Sequence, residues 1–294
     1  MKAAAFDYLR PGTLAEALAL LTQHASDCKL LAGGQSLVPM MAMRLLRPAL
    51  LIDINRLTEL QSIAQQDGSL RMGAAVRQRD VEDATQLHAA LPLVRCALRW
   101  VGHAQTRNRG TVGGSMVHAD PSAELPLAAM VLGATLCLQS ELGGEQRVRA
   151  EDFFLAPMFT ATAEAQCLTA IEWPVWSGAR IAAAFEETAI RHGDFAMAAA
   201  ACQVQLNEDG LVIKASLGLG GVDGVPRVFH DIAAKLCGQR ITAALAQEAA
   251  QAAAKATDPG SDIHASAQYR RHLAGVLLAR ALQQAAALAA GETQ

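Results

Sequence analysis

Short apolar runs alternate with polar turns near the N-terminus and predict a small lobe of strands and helices. Thr13 has Glu16 three positions after it and an apolar-periodic segment beyond, which predicts a helix with a capped N-terminus. The apolar runs 29–31 and 50–54 have the length of strands, and residues 39–44 between them are expected to form one helical turn. The first lobe is therefore expected to be a compact arrangement of β and α elements.

The pattern from residue 57 onward predicts a second lobe that also mixes strands and helices. Apolar runs predict strands at 70–72, 134–138, 147–149 and 166–172, and helical periodicity predicts helices that begin at 78 and cover 91–101 and 122–132. Residues 106–110 are interpreted as a polar, basic lead-in to a glycine-rich turn, and residues 116–121 are expected to be irregular.

Three strands followed by helices are predicted after residue 177. The strands are expected at 181–190, 198–206 and 211–219, with a turn at 207–210. Helical periodicity then covers 231–236, 241–256 and 267–289, and Pro259 with Gly260 separates the last two helices.

Composition limits the classes of function. Alanine accounts for much of the 52% hydrophobic fraction and aromatic residues for only 4%, so the core is expected to bury less area than the hydrophobic fraction suggests. The formal net charge is −3, and the Lys and Arg residues are dispersed rather than gathered in a basic stripe. A partner role for nucleic acid is therefore not expected.

The cysteines and the apolar segments bear on the cellular compartment. The six cysteines are scattered without a Cys-x-x-Cys pair, which argues against a zinc or iron–sulfur site in this chain and fits buried thiols in a reducing compartment. The N-terminal residues lack the apolar core of a signal peptide. The longest Ala/Leu-rich run, 273–290, contains Arg280 and two glutamines, so no transmembrane segment is expected. We therefore expect a soluble, cytoplasmic protein.

Two glycine-rich turns are the candidate ligand-binding features. The stretch 29–37 reads KLLAGGQSL and contains the first glycine loop (residues 32–37), while GTVGGS forms the second glycine loop (residues 110–115). Consecutive amides near a glycine pair, together with the Ser36 hydroxyl, can bind an anion. Two such loops that meet in the fold would hold both halves of a pyrophosphate, although each pair alone is also typical of an ordinary turn. Neither loop has the P-loop or the Gly-x-Gly-x-x-Gly pattern.

Further motifs connect these loops to a known family. They are FDYLRP near the N-terminus, RNRGTVGGS at 107–115, HADPSAELP at 118–126, RHGDFA at 191–196, GGV at 220–222 and SAQYRRHLAGVLLARAL at 266–282. With these motifs and AGGQSL, the chain resembles, over nearly its whole length, the FAD-binding (medium) subunit of the molybdenum-containing hydroxylases, of the xanthine dehydrogenase and carbon monoxide dehydrogenase type.

The resemblance implies an α+β fold in two parts. Residues 1–177 would form a two-lobed α/β FAD-binding domain of the vanillyl-alcohol-oxidase (PCMH) type, with lobes 1–55 and 56–177. Residues 178–294 would form a three-stranded antiparallel sheet with a helical bundle that covers the flavin.

The resemblance also implies a set of FAD-binding residues and no catalytic or metal-binding ones. One phosphate would be held by Ala32, Gly33, Gly34, Gln35 and Ser36, and the other by Thr111, Gly113, Gly114 and Ser115. Asp120 would accept from ribityl or ribose hydroxyls, Leu168 would border the adenine, and Phe195 would lie on or near the isoalloxazine ring. The set also includes Lys29, Leu31, Leu37 and Gly110. Because the family more often has Asn at the position of Ser115, an altered local contact is expected.

Several charged residues have plainer interpretations. Glu186 and Glu187 are expected at a solvated strand end. Arg270 and Arg271 are expected on a helix face, where they are solvated or paired. For Arg107 and Arg109 two interpretations remain: they orient the second glycine loop, or they meet FAD phosphate or a partner surface.

The function implied by the resemblance is that of a flavoprotein subunit. A large partner subunit with a molybdenum cofactor would oxidise the substrate, and a small partner subunit with two [2Fe-2S] clusters would carry the electrons to FAD. NAD, quinone, oxygen or a cytochrome would then be the external acceptor, in a heterotrimer or its dimer. Two alternatives are a stand-alone FAD-dependent oxidoreductase, with His192 or Asp194 as proton donor, and a non-catalytic assembly module that lacks the cofactor.

Overall fold

The chain forms two mixed lobes and a third region with its own sheet and helices, in a computed structural model that describes residues 2–66 and 68–292. The strands are β1 (Asp7–Leu9), β2 (Cys28–Leu31), β3 (Leu50–Asp53), β4 (Ile63–Gln66), β5 (Ser69–Gly73), β6 (Thr135–Ser140), β7 (Gly144–Arg149), β8 (Phe154–Ala156), β9 (Phe159–Thr160), β10 (Gln166–Pro174), β11 (Ile181–Thr188), β12 (Ala198–Leu206), β13 (Val212–Gly220) and β14 (Arg227–Val228). The α-helices are α1 (Leu14–His24), α2 (Leu37–Ala42), α3 (Gln78–Asp83), α4 (Thr85–Ala90), α5 (Pro92–Leu98), α6 (Ala104–Arg109), α7 (Val112–His118), α8 (Glu124–Leu132), α9 (Ala150–Phe153), α10 (His230–Leu236), α11 (Ala243–Lys255) and α12 (Ala267–Ala290).

The first lobe is a parallel three-stranded sheet in the order β1-β3-β2. The predicted cap is confirmed, since the Thr13 hydroxyl accepts a hydrogen bond from the amide of Glu16 at 3.2 Å. Helix α1 buries Ala17, Leu18 and Leu21 in a core that includes β3. Because the sheet is parallel, β2 and β3 end at the same edge, and the first glycine loop leaves from that edge.

The second lobe is built on an antiparallel five-stranded sheet in the order β4-β5-β10-β6-β7. Helices α5 and α8 pack against each other, and α7 lies against β10. Nearly all of α8 is buried, which is why its sequence is apolar on every side rather than periodic. This sheet and these helices support the second glycine loop.

Two segments next to the second glycine loop are helices, although the sequence did not predict them as helical. Residues 104–109 form α6, which ends where the Gly110 amide donates to the carbonyl of Thr106 at 2.6 Å. Residues 112–118 form α7, whose N-terminus is capped by the Thr111 hydroxyl, which accepts from the Gly114 amide at 3.1 Å. The expectation of an irregular segment from 116 is therefore wrong for its first three residues. Helices of six or seven residues are too short to show a clear apolar period.

The third region has the three long antiparallel strands that were predicted, in the order β11-β12-β13. The sheet is not three-stranded, however, because β14 adds a fourth strand of two residues that pairs with Gly218 and Leu219. Helices α11 and α12 pack on each other, and α12 crosses β11 and β12. The facing residues are mostly alanines, so helix and sheet approach closely.

Helix α12 has the length and hydropathy of a membrane span, and it is the one helix of the described residues that does. Just over half of its most apolar window, 56%, is buried inside the protein. Ala274, Leu278 and Ala281 on this helix are fully buried in the core with the strands of the third region. Such burial is typical of a core helix in a globular domain.

Glu187 on β11 is not at a solvated strand end, as the sequence interpretation had it. Its side chain is 7% exposed, and its Oε2 atom has no hydrogen-bond partner among the described residues. Burial, and secondarily the charge of Glu124, raises the pKa of Glu187 to about 9. The carboxyl group is therefore protonated at neutral pH. The interpretation failed because Glu187 lies on a strand that is covered on both faces.

We expect the unfolding free energy to fall with rising pH because of Glu187. Above its ordinary pKa of 4.5 the unfolded chain releases the proton, while the folded chain keeps it up to about pH 9. Stability is therefore lost through this window, by at most about 1.4 kcal/mol per pH unit. Between pH 6 and pH 8, urea unfolding should show wild type losing about 1–3 kcal/mol more than Glu187→Gln. The surface variant Glu208→Gln should follow wild type, and equal pH dependence of wild type and Glu187→Gln would contradict the assignment.

Candidate cofactor site at the two glycine loops

The two glycine loops are in direct contact in the fold, although Gly33 and Gly113 are 80 positions apart in the sequence. A Cβ atom built on Gly33 would lie 2.5 Å from the carbonyl oxygen of Arg109 and 2.9 Å from the Cα atom of Gly110. These distances are shorter than any ordinary non-bonded contact. Only glycine at position 33 allows the loops this approach.

The first glycine loop presents unused hydrogen-bond donors. Gly34 has a φ of +72°, a left-handed conformation that favours glycine. Within the described part of the chain, the backbone amides of Gly33, Gly34, Gln35 and Ser36 donate to no other group, while the side-chain amide of Gln35 donates to the Gly33 carbonyl at 3.1 Å. Gln35 is exposed and Ser36 is half-buried. Amides that point away from other protein groups in this way can bind an anion.

The second glycine loop is different, because most of its amides already have partners. The Gly113 amide donates to the Ala74 carbonyl at 2.9 Å, and the Ser115 amide donates to the Thr111 carbonyl at 3.2 Å. A Cβ on Gly113 would lie 2.4 Å from the Cβ of Ala74, so this glycine is required for the packing of α7 against the end of β5. Gly114 is exposed and the Ser115 side chain is half-buried. Of the loop's side-chain donors, the Ser115 hydroxyl is therefore the more accessible to a ligand, since Thr111 is buried.

Asp120 and Phe195 line a common cleft of about 730 Å³. The other lining residues come from the turn after α7, the loop between β11 and β12, the turn after β13, the segment before α12 and the first turn of α12; they include Ser122, Gly193, Met197, Gly221, Asp262 and Arg270. Phe195 is 66% exposed, and Asp120 accepts a hydrogen bond from the Ser122 amide at 2.8 Å. The cleft therefore joins the second lobe to the third region.

The remaining residues of the implied set lie at different distances from the loops. Gly110 is buried at the junction of the loops, Leu31 and Leu37 flank the first loop half-buried, and Lys29 is exposed on β2. Leu168 is only 4% exposed inside β10. Its neighbour Thr169 accepts a hydrogen bond from the amide of Ala74, the residue that contacts Gly113. Leu168 is thus connected to the second loop through Thr169 and Ala74, and it has little exposed surface for a ligand.

Of the two arginines whose role the sequence left open, Arg107 has structural partners, while the Arg109 side chain is exposed. Arg107 is buried, makes two contacts with the Glu82 carboxylate at 2.9 and 3.0 Å, and donates to the Val101 carbonyl at 2.9 Å. It therefore fixes α6 against α3 rather than facing a ligand. Arg270 is also buried, and it pairs with Asp262 at 2.6 Å at the edge of the cleft.

His192 and Asp194 have partners that do not suit a proton donor for a substrate. The His192 ring stacks with Trp100 and with His103, with centroid distances of 6.3 and 6.0 Å. The Asp194 carboxylate is 3.2 Å from the guanidinium of Arg191. Nothing in this geometry favours a stand-alone enzyme over an electron-transfer subunit.

Two residues that together link the glycine loops were missed in the sequence. Asn55 donates to the carbonyl of Ala32 at 2.8 Å and accepts from Arg77 at 2.5 Å, and Arg77 also donates to the carbonyl of Arg109. Asn55 follows a strand and Arg77 precedes a helix, which are ordinary positions for these residue types. Their joint position becomes visible only when the two lobes are assembled.

Two family models match the chain. The model for the FAD binding domain in molybdopterin dehydrogenase covers residues 4–176, and the model for the CO dehydrogenase flavoprotein C-terminal domain covers residues 183–285.

Individual proteins are similar over the full length. Caffeine dehydrogenase subunit beta from Pseudomonas sp. (strain CBB1) is 36% identical over 286 residues, with 97% of this chain and 96% of that protein covered. The carbon monoxide dehydrogenase medium chain from Hydrogenophaga pseudoflava is 33% identical over 281 residues, with 95% and 96% covered. Among solved structures, quinoline 2-oxidoreductase from Pseudomonas putida 86 superposes with a TM-score of 0.93 at 34% identity, with 99% of this chain and 100% of that chain covered.

Proposed function

The chain belongs to the FAD-binding medium subunits of the molybdenum hydroxylases, and we propose that its two glycine loops form the pyrophosphate clamp of the FAD site. It is an oxidoreductase subunit whose cofactor is FAD. When bound, FAD supplies the redox centre that takes electrons from the [2Fe-2S] clusters of a partner subunit and delivers them to an external acceptor. The observation that carries the proposal is the contact between Gly33 and the backbone of Arg109 and Gly110.

The residues of the two loops fit a pyrophosphate. The free backbone amides of residues 33–36 and the Ser36 hydroxyl would bind one phosphate, and the Ser115 hydroxyl would bind the other. Thr111 and Gly113 would act mainly by shaping the second loop, since their hydrogen bonds are directed inward. The two halves of the clamp are thus unequal, with most amide donors on the first loop.

The cleft between the second lobe and the third region would receive the flavin ring. Phe195 would offer an aromatic face to the ring, and Asp120 would accept from a ribityl or ribose hydroxyl. Leu168 would meet the adenine only through a small exposed edge. With this arrangement, residues 1–177 form the PCMH-type FAD domain, and residues 178–294 cover the flavin from the other side.

The partners we propose are a small [2Fe-2S] subunit and a large subunit with the molybdenum cofactor, as a cytoplasmic heterotrimer or its dimer. In the described part of the chain five of the six cysteines lie on different elements, and Cys237 directly follows α10. Cys28, Cys137, Cys167 and Cys202 are buried. Iron–sulfur clusters in the partner subunit therefore account for the electron supply better than clusters in this chain. NAD, quinone, oxygen or a cytochrome remains the proposed acceptor.

A spectroscopic experiment on the complete chain tests this function. The purified chain, incubated with FAD and desalted, should keep visible flavin absorption bands. Under anaerobic conditions these bands should bleach when the dithionite-reduced, desalted small subunit is added. If the chain retains no flavin, the proposal is contradicted. If the flavin is retained but the reduced small subunit leaves it oxidised, a stand-alone enzyme is favoured.

We expect Phe195→Ala to weaken binding of FAD without weakening binding of ADP. An aromatic contact contributes about 0.5–1.5 kcal/mol, so the FAD dissociation constant should rise about 2- to 10-fold, while ADP lacks the flavin ring. Because Phe195 is mostly exposed, the unfolding free energy should change by less than about 0.5 kcal/mol. Titration by flavin fluorescence measures this effect. Phe159→Ala, an equally exposed phenylalanine outside the cleft, is the control; equal effects of the two variants would contradict the assignment.

A further inference from the structure

A hydrogen-bonded bridge joins the two glycine loops behind their point of contact. From Asn55, the Nδ2 group donates to the carbonyls of Ala32 at 2.8 Å and Leu31 at 3.2 Å, both at the base of the first loop. Its Oδ1 atom accepts from Nη2 of Arg77 at 2.5 Å, and Nη1 of Arg77 donates to the carbonyl of Arg109. The bridge therefore starts on one loop and ends at the entrance to the other.

The Arg109 carbonyl is where the bridge and the loop contact coincide. This oxygen accepts a hydrogen bond from Arg77. It is also the atom nearest to the position that a Cβ on Gly33 would occupy, at 2.5 Å. A shift of this peptide would change the hydrogen bond and the loop separation together. The bridge thus acts on the one peptide that sets how close the loops come.

Asn55 is itself held in place from the first lobe. Its backbone amide and its Nδ2 group both lie close to Oδ1 of Asp53, at 2.8 and 2.6 Å. Asp53 is buried at the end of β3, and it accepts a further hydrogen bond from the Tyr8 hydroxyl. Burial raises the pKa of Asp53, but these hydrogen bonds outweigh that effect and leave the pKa below its ordinary value. The carboxylate is therefore charged and a strong acceptor, which fixes the orientation of the Asn55 amide.

We infer that Asn55 and Arg77 are positioning residues that set the separation of the two glycine loops around the FAD pyrophosphate. This inference rests on the proposed pyrophosphate clamp. The planar guanidinium of Arg77 suits the role because it donates to two acceptors in fixed directions, whereas a lysine ammonium is a point charge on a flexible stem. Around metal sites, residues that orient the ligating groups change affinity about 10- to 100-fold when they are removed, and we expect an effect of that size here.

The test compares ligand affinity with stability in variants of the full chain. FAD dissociation constants are measured by fluorescence quenching, ADP dissociation constants by competition, and unfolding free energies in urea without ligand. Asn55→Ala should weaken FAD and ADP by the same factor, about 10- to 100-fold, since both ligands contain the pyrophosphate. Gln61→Ala is the matched control, because Gln61 donates to the backbone carbonyl of Asn55 at 2.7 Å and leaves the bridge intact.

Variants of Arg77 separate geometry from charge. Arg77→Lys keeps the positive charge and should weaken both ligands nearly as much as Arg77→Met. The double variant Asn55→Ala/Arg77→Met should bind no more weakly than Arg77→Met alone, because the single substitution already removes the hydrogen-bonded bridge. If Arg77→Lys kept wild-type affinity, the role of Arg77 would be purely electrostatic. If the effects in the double variant were additive, the two residues would act independently. Either result would overturn the inference.

The remaining outcomes also decide between the proposals. If wild type retains FAD and Asn55→Ala binds it equally well, the bridge is a structural brace only and the inference fails while the proposed function stands. If wild type fails to bind FAD, the proposed function fails and the inference fails with it. If Asn55→Ala does not fold, the Arg77→Lys and Arg77→Met pair gives the same decision.

Discussion

Replacing Gly33 by alanine is expected to lower the affinity of the chain for FAD by about 100-fold or more. The added Cβ would lie 2.5 Å from the Arg109 carbonyl oxygen, about 1 Å short of an ordinary contact, and the obstacle is backbone that no side-chain rotation removes. The loops must therefore move apart by about that distance. A displacement of 1 Å between the groups that hold a ligand is enough to cost about a hundredfold. Fluorescence titration of the desalted variant with FAD measures the loss.

The control for Gly33→Ala is Gly275→Ala on α12, where the new Cβ would have its nearest neighbour at 3.7 Å. This variant should bind FAD like wild type. Because residue 33 is half-buried at the edge of the first lobe, Gly33→Ala should still unfold cooperatively, with a loss of about 1–3 kcal/mol typical of a local overpacking. Binding within threefold of wild type would show that the loop contact does not set the FAD affinity.

The sequence predicted the loops better than it predicted their surroundings. The glycine pairs at 33 and 113 are visible because local backbone freedom and close approach require a particular residue type. The long strands β10, β12 and β13 and the long helix α12 were also predicted, since each extends over enough residues to show a pattern. The short helices α6 and α7 did not show one, and they were missed beside the very loop that they support.

What the sequence could not show depends on partners that are distant along the chain. Glu187 is buried because both faces of β11 are covered, and no local sequence pattern indicates that the second face is covered as well. The bridge of Asn55 and Arg77 depends on the meeting of two lobes. The two glycine loops also looked equivalent as sequence, whereas the second has most of its amides bonded to Ala74, Val76 and Thr111. Tertiary contacts thus decide which of two similar motifs offers free donors.

Replacing Gly113 by alanine is expected to act on stability first and on FAD binding second. The new Cβ would lie 2.4 Å from the Cβ and 2.6 Å from the carbonyl oxygen of Ala74, inside the buried contact of α7 with the end of β5. Such overpacking in a buried interface costs about 1–3 kcal/mol, and the unfolding free energy in urea should fall by that amount. FAD affinity should fall as well, because α7 carries Ser115, but the wild-type amides of the first loop remain available.

A second substitution distinguishes this effect from a direct loss of phosphate contacts at Gly113. In Ala74→Gly/Gly113→Ala the side-chain clash is gone, but the carbonyl of Ala74 still lies 2.6 Å from the new Cβ. Stability and FAD affinity should therefore recover together and only in part. The same strategy has no counterpart at Gly33, where the nearest obstacles are all main-chain atoms. If Ala74→Gly restored stability without restoring any FAD affinity, Gly113 would contact the pyrophosphate directly rather than through the position of α7.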